Sequence, residues 1–107
     1  MAWTIIYYNE GVQKTVHNWP VGIRAFYARI TERMIIFGPN LGMPFTRSMG
    51  NDLFEIRARG KEGIGRAFFC TVDGPKIVIL HAFIKKRNKT PRKALDMARK
   101  RLLEVKK

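Results

Sequence analysis

LFEIRARGKEGIGRAFFCTVDGPKIVILHAFIK, residues 53–85, reads as three strands joined by two tight turns. Apolar and polar side chains alternate over residues 53–59 and, more loosely, over 64–72. Residues 76–85 are apolar almost throughout, which predicts a central strand covered on both faces. Gly60-Lys61-Glu62-Gly63 and Asp73-Gly74-Pro75 are turn sequences, so the three strands should form an antiparallel meander.

Upstream, residues 3–8 (Trp-Thr-Ile-Ile-Tyr-Tyr) are β-branched and aromatic, as a short strand requires. Asn9 suits the N-cap of a brief helix with Val12 and Val16 on one face. Ile23, Phe26, Ile30, Met34 and Phe37 then recur at helical spacing, between Pro20 and the terminator Gly38-Pro39. Residues 38–52 are rich in Gly, Pro, Asn and Ser and read as an ordered loop. Downstream, Thr90-Pro91 opens a last helix with Ala94, Leu95, Ala98, Leu102 and Val105 on its inner side. The order β-α-α-β-β-β-α predicts an α+β domain spanning 1–107, with helices packed on an antiparallel sheet.

Composition limits the function classes. A chain of 107 residues predicts one domain, and its 46% apolar content suffices for a core. The longest uninterrupted apolar runs are four residues, as in Ile77-Val78-Ile79-Leu80, far short of the roughly 20 that span a membrane. No charged start followed by an apolar stretch precedes Lys14, so a secretory leader is not expected. Cys70 is the single cysteine, which excludes disulfide frameworks and cysteine-rich zinc sites and suggests the cytoplasm. The sequence holds no metal-ligand spacing, nucleotide-binding glycine motif, carboxylate pair or Ser-His-Asp order, and gives no support for a metal or cofactor.

Charge is the informative bulk property. Twenty-one Lys and Arg against eight Asp and Glu give +13, of which residues 51–107 carry +10. Nine cations and one acid, Asp96, lie between Lys85 and Arg101. Such a clustered field favours a polyanion or an acidic protein; the plain alternative is a solvated basic face that aids solubility.

Register sharpens the point. A four-residue turn at Gly60–Gly63 sets Arg57 directly opposite Arg66, and the next turn sets Arg66 opposite Phe83 with His81 and Lys85 on the diagonals. Glu55, Arg57, Arg59, Arg66, Phe68, His81, Phe83 and Lys85 would share one face, and Phe54, Ile56, Ala58, Ala67, Phe69, Val78, Leu80, Ala82 and Ile84 the other. Like charges facing each other destabilise a sheet, and an anion such as a phosphodiester between them removes the penalty. A competing arrangement pairs Arg57 with Glu55 or Asp52 and lets Arg66 reach solvent. With Arg66 on this face and outside the core, Arg66→Ala is expected to leave the fold intact. His81 is either a half-buried structural residue or a general acid or base. Phe68 and Phe83 are candidates to stack a base, although core packing is expected for at least one. His17 has no comparable neighbours and reads as structural.

These residues carry a resemblance. Asp52-Leu53-Phe54-Glu55-Ile56-Arg57, Gly65-Arg66-Ala67-Phe68-Phe69, Ile79-Leu80-His81-Ala82-Phe83-Ile84-Lys85-Lys86 and Asn88-Lys89-Thr90-Pro91 together resemble the RelE/ParE toxin superfamily, in its phage-derived HigB-like branch. The resemblance runs from the first strand to the last helix. It implies a RelE-like α+β fold and a toxin of a type II toxin-antitoxin system. It implies a cognate helix-turn-helix antitoxin, with operator DNA reached only through that antitoxin. It also implies a ribosome-dependent endoribonuclease that cleaves messenger RNA by metal-free attack of the 2′-hydroxyl, touching ribosomal RNA as it does so. By position, the catalytic candidates are Arg57, Arg66, His81 and Lys85. The RNA-binding candidates are Arg59, Phe83, Lys86, Arg87, Lys89, Arg92 and Lys93. The aromatic or histidine that many relatives carry after the last strand is missing from Arg87-Asn88-Lys89-Thr90-Pro91. Acid-base work therefore falls on His81 or on a lysine of depressed pKa, and crowding by Arg66 makes Lys85 a reasonable base.

Two other readings remain open on the sequence: a non-enzymatic inhibitor of DNA gyrase of the ParE kind, and a non-toxic phage accessory that binds nucleic acid. The net charge of +13 predicts that any protein partner docks through an acidic surface. Its association rate constant should then fall steeply between low and high salt, with a smaller change in dissociation; a salt-independent on-rate would refute this.

Overall fold

The computed structural model describes residues 2–85 and 91–106. Asn9 starts the first helix, α1 (Glu10–His17), by accepting the Val12 backbone N–H on its side-chain oxygen at 2.9 Å. Val12 and Val16 are the buried residues of that helix. The second helix, α2 (Val21–Phe37), starts at Pro20 and ends at Gly38, whose φ of 95° suits a residue without Cβ. Its buried stripe is Ile23, Tyr27, Ile30 and Met34. Phe26 lies at the rim and Phe37 is 73% exposed, so the predicted stripe is corrected at these two positions. The last helix, α3 (Arg92–Val105), buries Ala94, Ala98 and Leu102, with Pro91 as its cap residue. Thr90 lies outside the described residues.

Five strands form one mixed sheet: β1 (Thr4–Tyr7), β2 (Thr46–Gly50), β3 (Leu53–Gly60), β4 (Gly63–Val72) and β5 (Lys76–Lys85), in the spatial order β1-β5-β4-β3-β2. The β3-β4-β5 meander is antiparallel, as the two turns predict. Two features differ from the expected sheet. β1 runs parallel to β5, because the α1-α2 connection carries the chain from one edge of the sheet to the other. Part of the expected loop, Thr46–Gly50, is an edge strand on β3, and its composition gave no strand signal. Thr46 fixes the approach to it, since its hydroxyl oxygen accepts the N–H groups of Leu41 and Gly42 at 3.1 and 3.0 Å.

Both faces of the sheet are covered. Helices α1 and α2 bury one face, with Ile56, Ala58, Ala67, Phe69, Ile77 and Ile79 beneath them. Helix α3 covers half of the other, over Leu53, Phe68, Cys70, Val78 and Leu80. The expected side-chain partition therefore needs one correction. A bulge in the β4-β5 ladder pairs Phe68 with His81 but Phe69 with Ile79, so Leu80 is the extra residue. Val78 and Leu80 consequently join the face of His81, Phe83 and Lys85 instead of lying opposite it. The Leu80 carbonyl accepts Arg101 Nη1 at 2.7 Å. Arg101 in turn lies 4.6 Å over the Tyr8 ring, and Tyr8 donates its hydroxyl to Glu104.

The β3-β4 hairpin also reaches the start of α2. A Cβ on Gly65 would come within 2.7 Å of Ile23 Cγ2 and 2.9 Å of Trp19 Cζ3, so only glycine allows this approach. At the hairpin tip Glu62 accepts the Gly22 N–H at 2.9 Å and serves as the cap that Pro20 cannot supply. That bond holds the Glu62 carboxyl below its ordinary range, with Lys61 adding to the effect. Its contribution to stability is thus present above the ordinary carboxylate pKa and lost as pH falls through the depressed folded value. Glu62→Ala should lower Tm by a few degrees at neutral pH. The gap to wild type should narrow as pH falls below the ordinary carboxylate range, and a gap constant with pH would show that the carboxylate is not the cap.

Candidate functional site

Half of the α3-side face is free of the helix and carries the charges. Three cross-strand rows organise it. The first joins Arg47, Glu55, Phe68 and His81; the second joins Arg57, Arg66 and Phe83; the third joins Arg59, Ile64 and Lys85. Arg57 does stand directly opposite Arg66, as the first turn predicts; Arg66 stands opposite Phe83 because the bulge at Leu80 offsets a second turn centred on Gly74 instead of on Gly74-Pro75.

Glu55 is the sole carboxylate in these rows and is fully buried. Arg66 Nη1 donates to both of its oxygens at 2.9 Å, and Arg47 Nε donates to Oε1 at 2.9 Å. Arg66 itself is only 2% exposed, and its Nε has no hydrogen-bond partner among the described residues. Both sequence-level pictures of Arg66 are corrected by this pair: it is neither an open cation nor a side chain reaching solvent. The Glu55 partner is Arg66, with Arg47 beside it, and not Arg57.

That leaves Arg57, Arg59 and Lys85 unpaired by any carboxylate among the described residues. Burial lowers the Arg57 pKa from its ordinary value, and the charge of Arg66 lowers it further. Arg57 Nε is buried without a hydrogen-bond acceptor among the described residues. Burial likewise lowers Lys85 first, then the charge of Arg66; Glu55 opposes the shift while Arg47 and Arg57 add to it. Arg47, Arg57, Arg66 and Lys85 thus lie in adjacent cross-strand rows, and their charges bear on one another. An unpaired buried N–H among neighbouring cations is the arrangement that an oxyanion completes. Beside it, Phe26, Pro44, Arg57, Arg59 and Ile64 line a cleft of about 130 Å³.

His81 stands apart. It lies four residues from Lys85 on the same strand, about 13 Å by strand rise, with Phe83 between them. Its ring stacks on Phe83 at 5.8 Å and borders a separate cleft with Asn9, Thr15 and Arg101. Burial lowers its pKa, and the charge of Arg101 lowers it further. Both effects favour the uncharged imidazole. Phe68 is wholly buried and belongs to the core, whereas Phe83 is half-exposed with its ring 5.6 Å from Phe68.

The residues of α3 divide by task. Arg99 donates to the carbonyls of Met49 and Gly50 at 3.0 and 3.4 Å, and Arg101 holds the bulge. Arg92 and Lys93 are exposed in the first turn, which has no acidic residue, so they add to the positive end of the helix. Lys86, Arg87 and Lys89 lie outside the described residues. Among the described residues no group of three His, Cys, Asp or Glu side chains could hold a metal ion, and no helix is long and apolar enough to cross a membrane.

A family model described as Phage derived protein Gp49-like (DUF891) matches residues 14–103. The chain belongs to that family. The Gp49-like match takes in the whole sheet from β2 to β5 and nearly all of α3, hence every residue of the three charged rows. No curated protein matches the chain.

Sequence reasoning missed the part played by Arg47, because it sits on the strand mistaken for loop, and it missed the pairing of Glu55 with Arg66. Thr46-Arg47-Ser48 is polar throughout and only Met49 is apolar, so no alternation marked the strand. The pair reverses the expected outcome for Arg66. Arg66→Ala leaves a buried carboxylate with one partner, which should cost about 3–5 kcal/mol and lower Tm by more than about 10 °C. Arg57→Ala, which removes no ion pair, should stay within about 1 kcal/mol of wild type. Thermal melts followed by circular dichroism measure both. Equal melting temperatures for Arg66→Ala and wild type would mean that Glu55 is not sealed from water.

Proposed function

We propose that this Gp49-like protein is the toxin of a toxin-antitoxin pair, acting in the cytoplasm as a ribosome-dependent endoribonuclease on messenger RNA. The observation that carries the reading is the strand face itself. Arg47, Arg57, Arg59, Arg66 and Lys85 meet a single carboxylate there, in an arrangement that a fold selected only for stability would avoid.

In this reading the scissile phosphate sits over Arg57, with its unpaired Nε, and Lys85. The ribose 2′-oxygen attacks the adjacent phosphorus and gives up its proton to Lys85, whose lowered pKa favours the free amine. The new O2′–P bond forms as the P–O5′ bond breaks, leaving a 2′,3′-cyclic phosphate and a 5′-hydroxyl that takes a proton from water. Arg57 stabilises the extra charge of the pentacoordinate transition state, and the buried Arg66 strengthens the field from below. His81 is too far along the strand to share that phosphate with Lys85. We assign it, with Phe83, to an aromatic platform for a flanking base. Arg59, Arg92 and Lys93, together with Lys86, Arg87 and Lys89, would follow the RNA backbone. An acidic antitoxin would neutralise the face.

Expression of the protein alone should arrest bacterial growth, and primer extension should reveal new 5′ ends inside messenger codons. Arg57→Ala should reduce cleavage about 10²–10³-fold with the fold intact. The wild-type rate should rise with pH towards a midpoint below the ordinary lysine pKa of 10.5; Lys85→Ala should abolish that rise and His81→Ala retain it. Growth arrest with intact messengers and blocked supercoiling would favour a gyrase-directed inhibitor instead. Unaffected growth would exclude a toxin of either kind.

A further inference from the structure

The Arg47–Glu55–Arg66 cluster runs from the interior to the surface. Side-chain exposure is 0% at Glu55, 3% at Arg66 and 39% at Arg47. Only Arg47 reaches water. Its Nε is tied to Glu55, which restricts the rotation of the whole guanidinium plane, while its terminal nitrogens have no hydrogen-bond partner among the described residues. A long, flexible side chain ordinarily loses entropy when it grips a ligand, and one already fixed through Nε has lost much of it in advance. Glu55 could not fix it alone, because a buried carboxylate needs its remaining lone pairs filled, and Arg66 fills them from below.

Stability does not account for this cluster. A buried ion pair is commonly matched or bettered by apolar side chains of similar volume. The same face already supplies an apolar bed of Leu53, Phe68 and Leu80. The carboxylate also sits where an anion-binding face would least use a negative charge, unless the charge directs a cation.

We propose that Arg47 is a phosphate-binding residue of this face and that Glu55 is the positioning residue that aims it. The proposal rests on the RNA-directed reading above. Arg47 lies in the first cross-strand row and Arg57 in the second, so Arg47 meets a phosphodiester next to the one over Arg57, on the same single strand of RNA.

The test uses a short RNA with every 2′-hydroxyl methylated, which blocks cleavage, and follows binding by fluorescence anisotropy over a series of salt concentrations. Arg47→Gln should reduce the slope of log K against log salt by about 0.7, the value for one lost phosphate contact on a single strand. Glu55→Gln removes a negative charge from a basic face. If Glu55 acted only through its charge, RNA would bind more tightly. As a positioning residue its loss should weaken binding about tenfold despite the more positive net charge. Because Glu55→Gln could impair folding, the charge-neutral double variant E55L/R66M provides the second arm. It should fold, and it too should bind about tenfold more weakly, since Arg47 has lost its tether. An unchanged slope for Arg47→Gln, or tighter binding by Glu55→Gln, or wild-type affinity in the double variant overturns the proposal while leaving the RNA-directed reading in place. Wild-type protein that does not bind the RNA at any salt concentration also overturns the proposal, whereas the ribosome-dependent reading is decided by the new 5′ ends within messengers.

Discussion

A carboxylate sealed from water is tolerable only when its lone pairs are filled by charged donors, and Glu55 meets that condition through Arg66 and Arg47. The requirement spans three neighbouring strands. It fixes Arg47 on β2 and Arg66 on β4 to the middle of β3, and so helps attach an edge strand whose own sequence is weak. It also decides which cations of the face are engaged. Arg66 is committed to the interior, Arg47 is held at the boundary, and Arg57, Arg59 and Lys85 keep their positive charge without a carboxylate partner among the described residues.

The same sheet face does two jobs because β5 changes parity partway along. Before the bulge, Val78 and Leu80 point towards α3 and form its apolar bed; after it, His81, Phe83 and Lys85 point the same way and form the charged half. α3 is pinned at the boundary by Arg101 on the Leu80 carbonyl and by Arg99 on the last two residues of β2. These contacts keep the helix over one half of the face and leave the other open.

The meander, the β3-β4 register and the confrontation of Arg57 with Arg66 were legible because turn glycines and side-chain alternation are local signals. Three things were not. The run Ile77-Val78-Ile79-Leu80 is uniformly apolar, so a parity change inside it leaves no trace in the pattern. β2 is held by its neighbour and by the Thr46 hydroxyl more than by its own propensity. The partner of Glu55 depends on side-chain reach to the strands on either side, where Arg66 on β4 and Arg47 on β2 take the carboxylate in place of the Arg57 expected from β3 itself. Phe37 lies in phase with the apolar stripe of α2 but is exposed to solvent at the last residue of the helix.

The bulge at Leu80 also bears on how such chains can vary in length. Omitting that residue would bring Ile79 and His81 into ordinary succession, and the ladder would continue with every cation still on its own side. Omitting any residue between His81 and Lys85 would instead turn the following side chains over and send a lysine towards the interior. Insertions and deletions among relatives should therefore gather at this one joint, with the strand beyond it constant in length.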